Sequence, residues 1–184
     1  MNRFGVELRA EVDGNRLAGH AAVFDVHAQM PGHWETLARS AFDEVLAGDP
    51  DVKALFNHNP SLILGSTRAK TLRLETDDVG LAFEVDLPDT SYARDLRELV
   101  EREDVRGCSF GFLPGADRWS RAPDGGQLRT HTSVRDLLDV SLVAYPAYDG
   151  TEVHLRSVDF GRPRLTARQQ LTRLRAANLI KDVT

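Results

Sequence analysis

The sequence predicts a β-rich α+β fold, an antiparallel β-barrel with peripheral helices. Three observations carry that prediction. Apolar and polar residues alternate with a period of two over several short runs, as in Phe4, Val6, Leu8 and Ala10. Turn dipeptides separate these runs, notably Asp13-Gly14 and Asp124-Gly125. Helical periodicity is confined to short stretches. In all, about eight strands and three helices are expected, mostly joined as hairpins, and strands in such number close into a barrel or nearly so.

Taken in order, Arg16 to Phe24 pairs with the first strand around Asp13-Gly14. Residues 25–33, with Pro31-Gly32, read as a loop, and Trp34 to Ala38 as a short strand. Ser40, followed by Asp43 and Glu44, starts a helix with Phe42, Val45 and Leu46 on one face, ended by Gly48-Asp49-Pro50. Val52 to Phe56 is a short apolar strand that delivers His58 at its end. Thr71 to Glu75 and Leu81 to Leu87 form a second hairpin around Asp77-Asp78-Val79-Gly80. Thr90 or Ser91 caps a helix of about 12 residues whose apolar face is Tyr92, Leu96, Leu99 and Val100. Val105 to Phe112 is a strand. Residues 114–126 are polar, ending in a turn at Asp124-Gly125-Gly126. Leu128 to Val134, Leu137 to Tyr145 and Val153 to Leu155 are further strands, with a loop at Pro146 to Gly150. From Arg162 the pattern becomes helical, with Leu165, Leu171, Leu174, Ala177 and Ile180 among arginines.

The 184 residues and 41% hydrophobic content fit one domain with its own core. The organisation expected is a body over residues 1–160 and a basic helical tail over 161–184. Charge divides the same way: of the net −5, the tail holds +5 and the body −10. An acidic body argues against general nucleic-acid binding. The basic tail suits an acidic partner, nucleic acid, or the body itself. No apolar run approaches the roughly 18 residues of a membrane span, and Met1-Asn2-Arg3-Phe4 has no apolar leader core. A cytoplasmic protein without membrane association is expected. The single cysteine, Cys108, excludes an intrachain disulfide and reads as a buried structural thiol. The six histidines are scattered without ligand spacing, so neither metal nor cofactor is expected.

The chemistry concentrates in three segments: Phe56-Asn57-His58-Asn59, Gly107-Cys108-Ser109-Phe110-Gly111-Phe112 and Asp139-Val140-Ser141-Leu142. A serine hydroxyl needs a base in hydrogen-bond contact before it attacks a carbonyl. Ser109 lies between two glycines that permit close approach of a substrate chain. The amides of Phe110 and Gly111 are candidate oxyanion donors. His58 lies in a polar notch, flanked by asparagines and by Pro60, which keeps Asn59 extended or in a turn. An imidazole there can take the serine proton and return it to a leaving amine. A carboxylate inside an apolar strand is costly unless paired, and Asp139 is such a carboxylate. Each residue also has a plain structural reading: Ser109 as a small residue at a tight strand crossing, His58 as a loop-capping histidine. His20 competes with His58 for the role of base. Gly107 to Gly111 matches the Gly-x-Ser-x-Gly pattern of esterases literally, but no strand-to-helix turn follows it.

These segments, with Gly19-His20-Ala21-Ala22-Val23-Phe24, Leu64-Gly65-Ser66-Thr67, Gly80-Leu81-Ala82-Phe83-Glu84 and the continuation Val143-Ala144-Tyr145-Pro146-Ala147, resemble in order and spacing the prohead maturation proteases of tailed phages. The resemblance spans roughly residues 4 to 155. It implies a herpesvirus assemblin-like serine protease fold and a catalytic order of His58, Ser109, Asp139, and it selects His58 over His20. That order differs from those of the common serine hydrolase folds. His131 is the alternative third member, by analogy with a Ser-His-His triad. Ser61, Ser66, Thr67 and Arg68 either shape a substrate groove or form a turn. The arginines that follow the third member in the herpesvirus enzymes have no counterpart in Val140 to Tyr145. The implied function is a serine endopeptidase that cleaves the scaffolding segment of the major capsid protein, any separate scaffold and itself, inside assembling proheads in the host cytoplasm. A homodimer or higher self-association is also implied. The contrasting expectation is a catalytically inactive β-barrel capsid-assembly module.

Overall fold

A computed structural model describes the backbone of residues 2–11, 15–145 and 153–156, and the side chains over 15–145. The elements run β1 (Asn2–Glu11), β2 (Arg16–Val23), β3 (Ala28–Met30), β4 (His33–Leu37), α1 (Asp43–Ala47), β5 (Lys53–Phe56), β6 (Asn59–Ser66), β7 (Leu72–Thr76) and β8 (Gly80–Asp86). They continue with α2 (Ser91–Glu101), β9 (Gly107–Pro114), β10 (Asp117–Arg121), β11 (Gln127–His131), β12 (Val134–Val143) and β13 (Val153–Arg156). The expected β-rich character holds. The strands divide into three sheets: six strands in the order β13-β1-β9-β12-β5-β6, four in the order β10-β11-β4-β3, and three in the order β2-β8-β7. These ladders define no closed barrel among the described residues.

Several elements follow directly from local pattern. In β8, Leu81, Phe83 and Val85 are buried while Ala82, Glu84 and Asp86 are only half-buried, the alternation a one-sided strand requires. Its partner β2 slips register between His20 and Ala22, so Ala21 and Ala22 are both buried. On α2, Ala93, Leu96 and Val100 face the core, with Tyr92 and Leu99 packed beside them. Thr90 occupies the N-cap position with extended backbone, but its side chain makes no capping hydrogen bond. At α1, the N-cap residue Phe42 and Val45 are buried as expected, while Leu46 is half-buried beside them.

Other elements depart from the local reading. β3 lies within the stretch read as a loop, and β6 and β10 were not expected as strands. Every residue of β10 is exposed, so it carries no apolar alternation. β6 begins Asn59-Pro60-Ser61 and pairs irregularly with β5, jumping from Phe56↔Asn59 to Leu55↔Ile63. The pairing is also less uniformly antiparallel than predicted. Three ladders are parallel: β1 with β13, β4 with β11, and β5 with β12. The Asp13-Gly14 turn, the Pro146 to Gly150 loop and the basic tail lie outside the described residues.

The core lies against one face of the six-stranded sheet. Cys108, Phe110 and Phe112 of β9, Val140 and Leu142 of β12, and Ala54 of β5 all point into it. Phe110 stacks on Phe112 with ring centroids 5.0 Å apart and meets Phe42 edge-on at 5.6 Å. Each such buried side chain contributes about 1.5–3 kcal/mol. The alternate residues of the same strands, Ser109, Asp139 and Ser141, point to the opposite face, and they too are buried.

Candidate active site

β9 and β12 are antiparallel neighbours in which Ser109 stands opposite Ser141 and Gly111 opposite Asp139. Residues directly opposite share a face of the sheet. The face that carries Ser109 therefore also carries Asp139 and Ser141, while the intervening residues fill the core. On β9 this face is otherwise Gly107 and Gly111, and across the other edge Gly5 of β1 stands opposite Ser109. Along its own strand and toward β1, Ser109 is thus flanked by positions without a side chain, and toward β12 by Ser141. Cys108 projects into the core, as alternation predicts, and burial raises its thiol pKa far above the usual range.

His58 reaches this face from a tight turn. β5 runs parallel to β12, with Phe56 beside Leu142. The chain then reverses through Asn57 and His58 before β6 starts at Asn59, which pairs back to Phe56. Both turn residues have left-handed backbone, with φ of 52° and 54°. A two-residue hairpin with two positive φ values is the type I′ arrangement, which favours Asn first and Gly second. Histidine in the second position costs about 1–2 kcal/mol of backbone strain. The turn aims the imidazole at β12, where Nδ1 lies 2.6 Å from Asp139 Oδ1. Both side chains are only 6% exposed.

The protonation pattern follows from this contact. An ionised carboxylate only accepts, so Nδ1 carries the hydrogen, and in the neutral imidazole the lone pair is then on Nε2. Asp139 Oδ1 also accepts from the Ser141 hydroxyl, which meets the need of a buried carboxylate for partners. Two polar atoms of the site have no hydrogen-bond partner: His58 Nε2 and Ser109 Oγ, both buried. An imidazole lone pair and a hydroxyl left unpaired beside a fixed His–Asp pair are the groups that proton abstraction would use. Contacts of this kind are often loose before substrate binds.

The remaining sequence candidates separate clearly. His20 pairs with Asp77 at 2.8 Å on the three-stranded sheet. His131, the alternative third member, is not beside His58. It is fully buried on β11, 3.5 Å from Glu35 and edge-on to Phe112, which projects from the core face of β9 and not from the Ser109 face. Asp139 takes the His58 contact because it alone shares the Ser109 face. Ser66 and Thr67 build a turn: Ser66 Oγ accepts from the Ala69 amide, and Thr67 Oγ1 accepts from Val52 and donates to Pro50. Phe110 and Gly111 lie inside β9 with β1 on one side and β12 on the other. Their amides therefore run in the sheet plane, between strands, and not along the Ser109 side chain. A register irregularity in β12 between Leu137 and Asp139 lies opposite Phe112 and Gly111, while Phe110 pairs regularly with Val140.

One charged cluster was missed. Glu35 on β4 is buried, 3.0 Å from His33 and 3.4 Å from Arg129, which also binds Asp117 at 2.5 Å. Burial alone opposes ionisation of Glu35, but contacts to His131, His33 and Arg129 outweigh it and hold the pKa at about 2. The signal in the sequence was a lone glutamate between Trp34 and Thr36, which alternation could not distinguish from a solvated residue.

A serine, a histidine and an aspartate on one polar sheet face, in the chain order His58, Ser109, Asp139, make up the residue set of a serine hydrolase. Matched against protein-family models, residues 5–162 fit the caudovirus prohead serine protease family. The chain belongs to that family, as its motifs implied. No curated protein and no solved structure matched the chain.

Proposed function

We propose that this chain is the endopeptidase that matures a phage prohead, cleaving the scaffolding segment of the major capsid protein, any separate scaffold, and itself. Family membership supports the protease class. The observation that carries the residue assignment is the 2.6 Å contact between His58 and Asp139 on the face that presents Ser109. In this reading His58 Nε2 takes the Ser109 proton as Oγ attacks the scissile carbonyl carbon. Asp139 holds the Nδ1–H and stabilises the imidazolium that forms. The imidazolium then protonates the leaving amine, the C–N bond breaks, and an acyl-enzyme remains on Oγ. Water, deprotonated by the same imidazole, hydrolyses it. No cofactor takes part.

The oxyanion donors expected at Phe110 and Gly111 require one of these amides to be released from its ladder, and Gly111 borders the register irregularity in β12. The fold is taken as assemblin-like, with the protein acting as a dimer or larger assembly inside proheads in the host cytoplasm. The second reading is an inactive capsid-assembly module. One observation favours it: Ser109 Oγ and His58 Nε2 are not hydrogen-bonded to each other, so the contact between nucleophile and base is not made.

Co-expression with the major capsid protein decides between them. Native chain should shorten that protein at an N-terminal site, and Ser109→Ala should leave it whole. Shells assembled from full-length capsid protein with both chains would establish the module instead.

A further inference from the structure

The turn that presents His58 leaves the sheet one residue early, yet the sheet continues through it. In a regular parallel ladder between β5 and β12, residue 57 would face residue 143. It would donate its amide to the carbonyl of 142 and accept at its own carbonyl from the amide of 144. The first bond is present: Asn57 N donates to Leu142 O at 2.8 Å. The second is present with a substitution. The Ala144 amide donates at 3.1 Å to Asn57 Oδ1, the side-chain carbonyl, while the main chain turns away at φ 52°. Asn57 therefore stands in for its own backbone. The ladder is completed by the side chain, and the main chain is released to carry His58 across to Asp139.

We infer that Asn57 is a positioning residue for the His58 base, a role that rests on the protease reading above. Two requirements meet at this one position. The residue must tolerate left-handed backbone, and it must present an acceptor three bonds beyond Cα. Asparagine and aspartate meet both. Glycine meets only the first and alanine neither. Without the Oδ1 bond, the main chain of the turn is tied to β12 by the Asn57 amide alone, and the His58 ring it carries can shift against Asp139. A pivot of about 1 Å in a catalytic group costs on the order of 100-fold in rate. Asn57 itself is exposed, so the bond lies at the rim of the buried site and not within it.

The full chain with Asn57→Gly, Asn57→Ala and Asn57→Asp tests this. Two quantities are read: kcat and KM on a peptide spanning the mapped capsid cleavage site, and the downfield proton resonance of His58 Nδ1–H, assigned by its loss in His58→Ala. Asn57→Gly keeps the turn and removes only the acceptor. It should lower kcat about 10- to 100-fold at nearly constant KM, and broaden or abolish the resonance. Asn57→Asp should recover most of both. Native kcat together with an unchanged resonance in Asn57→Gly would overturn the inference. If the native chain and Ser109→Ala alike leave the capsid peptide uncut, the protease reading fails. The resonance in Asn57→Gly then still decides whether the side chain holds the histidine.

Discussion

Ser141 stands directly across from Ser109 in the β9–β12 ladder, but its hydroxyl donates to Asp139 and leaves Ser109 Oγ without a partner. Two serines on adjacent strands thus divide the work. One holds the carboxylate, and the other remains available for chemistry. Asp139 shows the same division, with one oxygen receiving both the histidine N–H and the serine O–H.

Ser141→Ala should therefore impair the site without touching the nucleophile. A hydrogen bond to a charged group contributes about 1.5–3 kcal/mol. Part of that is offset because His58 still pairs with the carboxylate, so kcat is expected to fall about 10-fold with KM little changed. Steady-state kinetics on a capsid-derived peptide measure it, and an unchanged kcat would remove Ser141 from the machinery.

Asp139→Asn keeps the shape but replaces an obligate acceptor with a group that can also donate. His58 can then adopt the tautomer with hydrogen on Nε2, which is useless as a base. The expected loss in kcat is on the order of 10³- to 10⁴-fold. Asp139→Ala should resemble it closely, because the tautomer matters more than the space filled. Labelling of Ser109 by a fluorophosphonate should slow in parallel.

Glu35 predicts the acid limb of stability. Its carboxyl stays ionised in the folded chain down to about pH 2, whereas the unfolded chain takes up the proton near 4.5. The stabilisation is complete above 4.5 and declines as pH falls from there through about 2. Glu35→Gln leaves Arg129 and the two histidines beside a neutral amide and should cost about 3 kcal/mol at neutral pH. Urea unfolding at stepped pH values checks both parts: the variant should start lower and slope less between pH 4.5 and 2.

Gly80 sits at the end of the β2–β8 ladder, where main chain lies directly against main chain. A Cβ at that position would lie 1.9 Å from the Ala22 carbonyl oxygen, with Val23 Cα at 2.9 Å. These are main-chain atoms and cannot rotate aside, so Gly80→Ala must part the strands. A loss of about 1–3 kcal/mol is expected, read as a lower thermal midpoint with the His58 resonance unaffected.

Local pattern was enough for the elements whose neighbours lie close in sequence. The β7–β8 hairpin and α2 emerged at nearly their observed bounds, because period-two and period-3.6 alternation record which face is buried. Ser109 was legible as a small buried residue between glycines in an otherwise apolar strand, a pattern that fits a tight strand crossing as well as a nucleophile, and the family resemblance singled it out. Asp139 was legible as a carboxylate in an apolar run. β10 and β6 were not, since a fully exposed strand and one broken by Pro60 and an irregular register leave no alternation to read.

The tertiary structure alone decided how these pieces meet. Parallel pairing of β5 with β12 joins segments more than eighty residues apart, and no local signal encodes it. That pairing sets Phe56 beside Leu142, and with it the reach of His58 to Asp139 in place of a contact with His131. The left-handed turn at Asn57 and His58 is likewise invisible in composition, because neither residue demands positive φ. Sequence determined which side chains were available for the chemistry, since burial and polarity are written residue by residue. The sheet determined which of them share a face, because strand register is a property of pairs of distant strands.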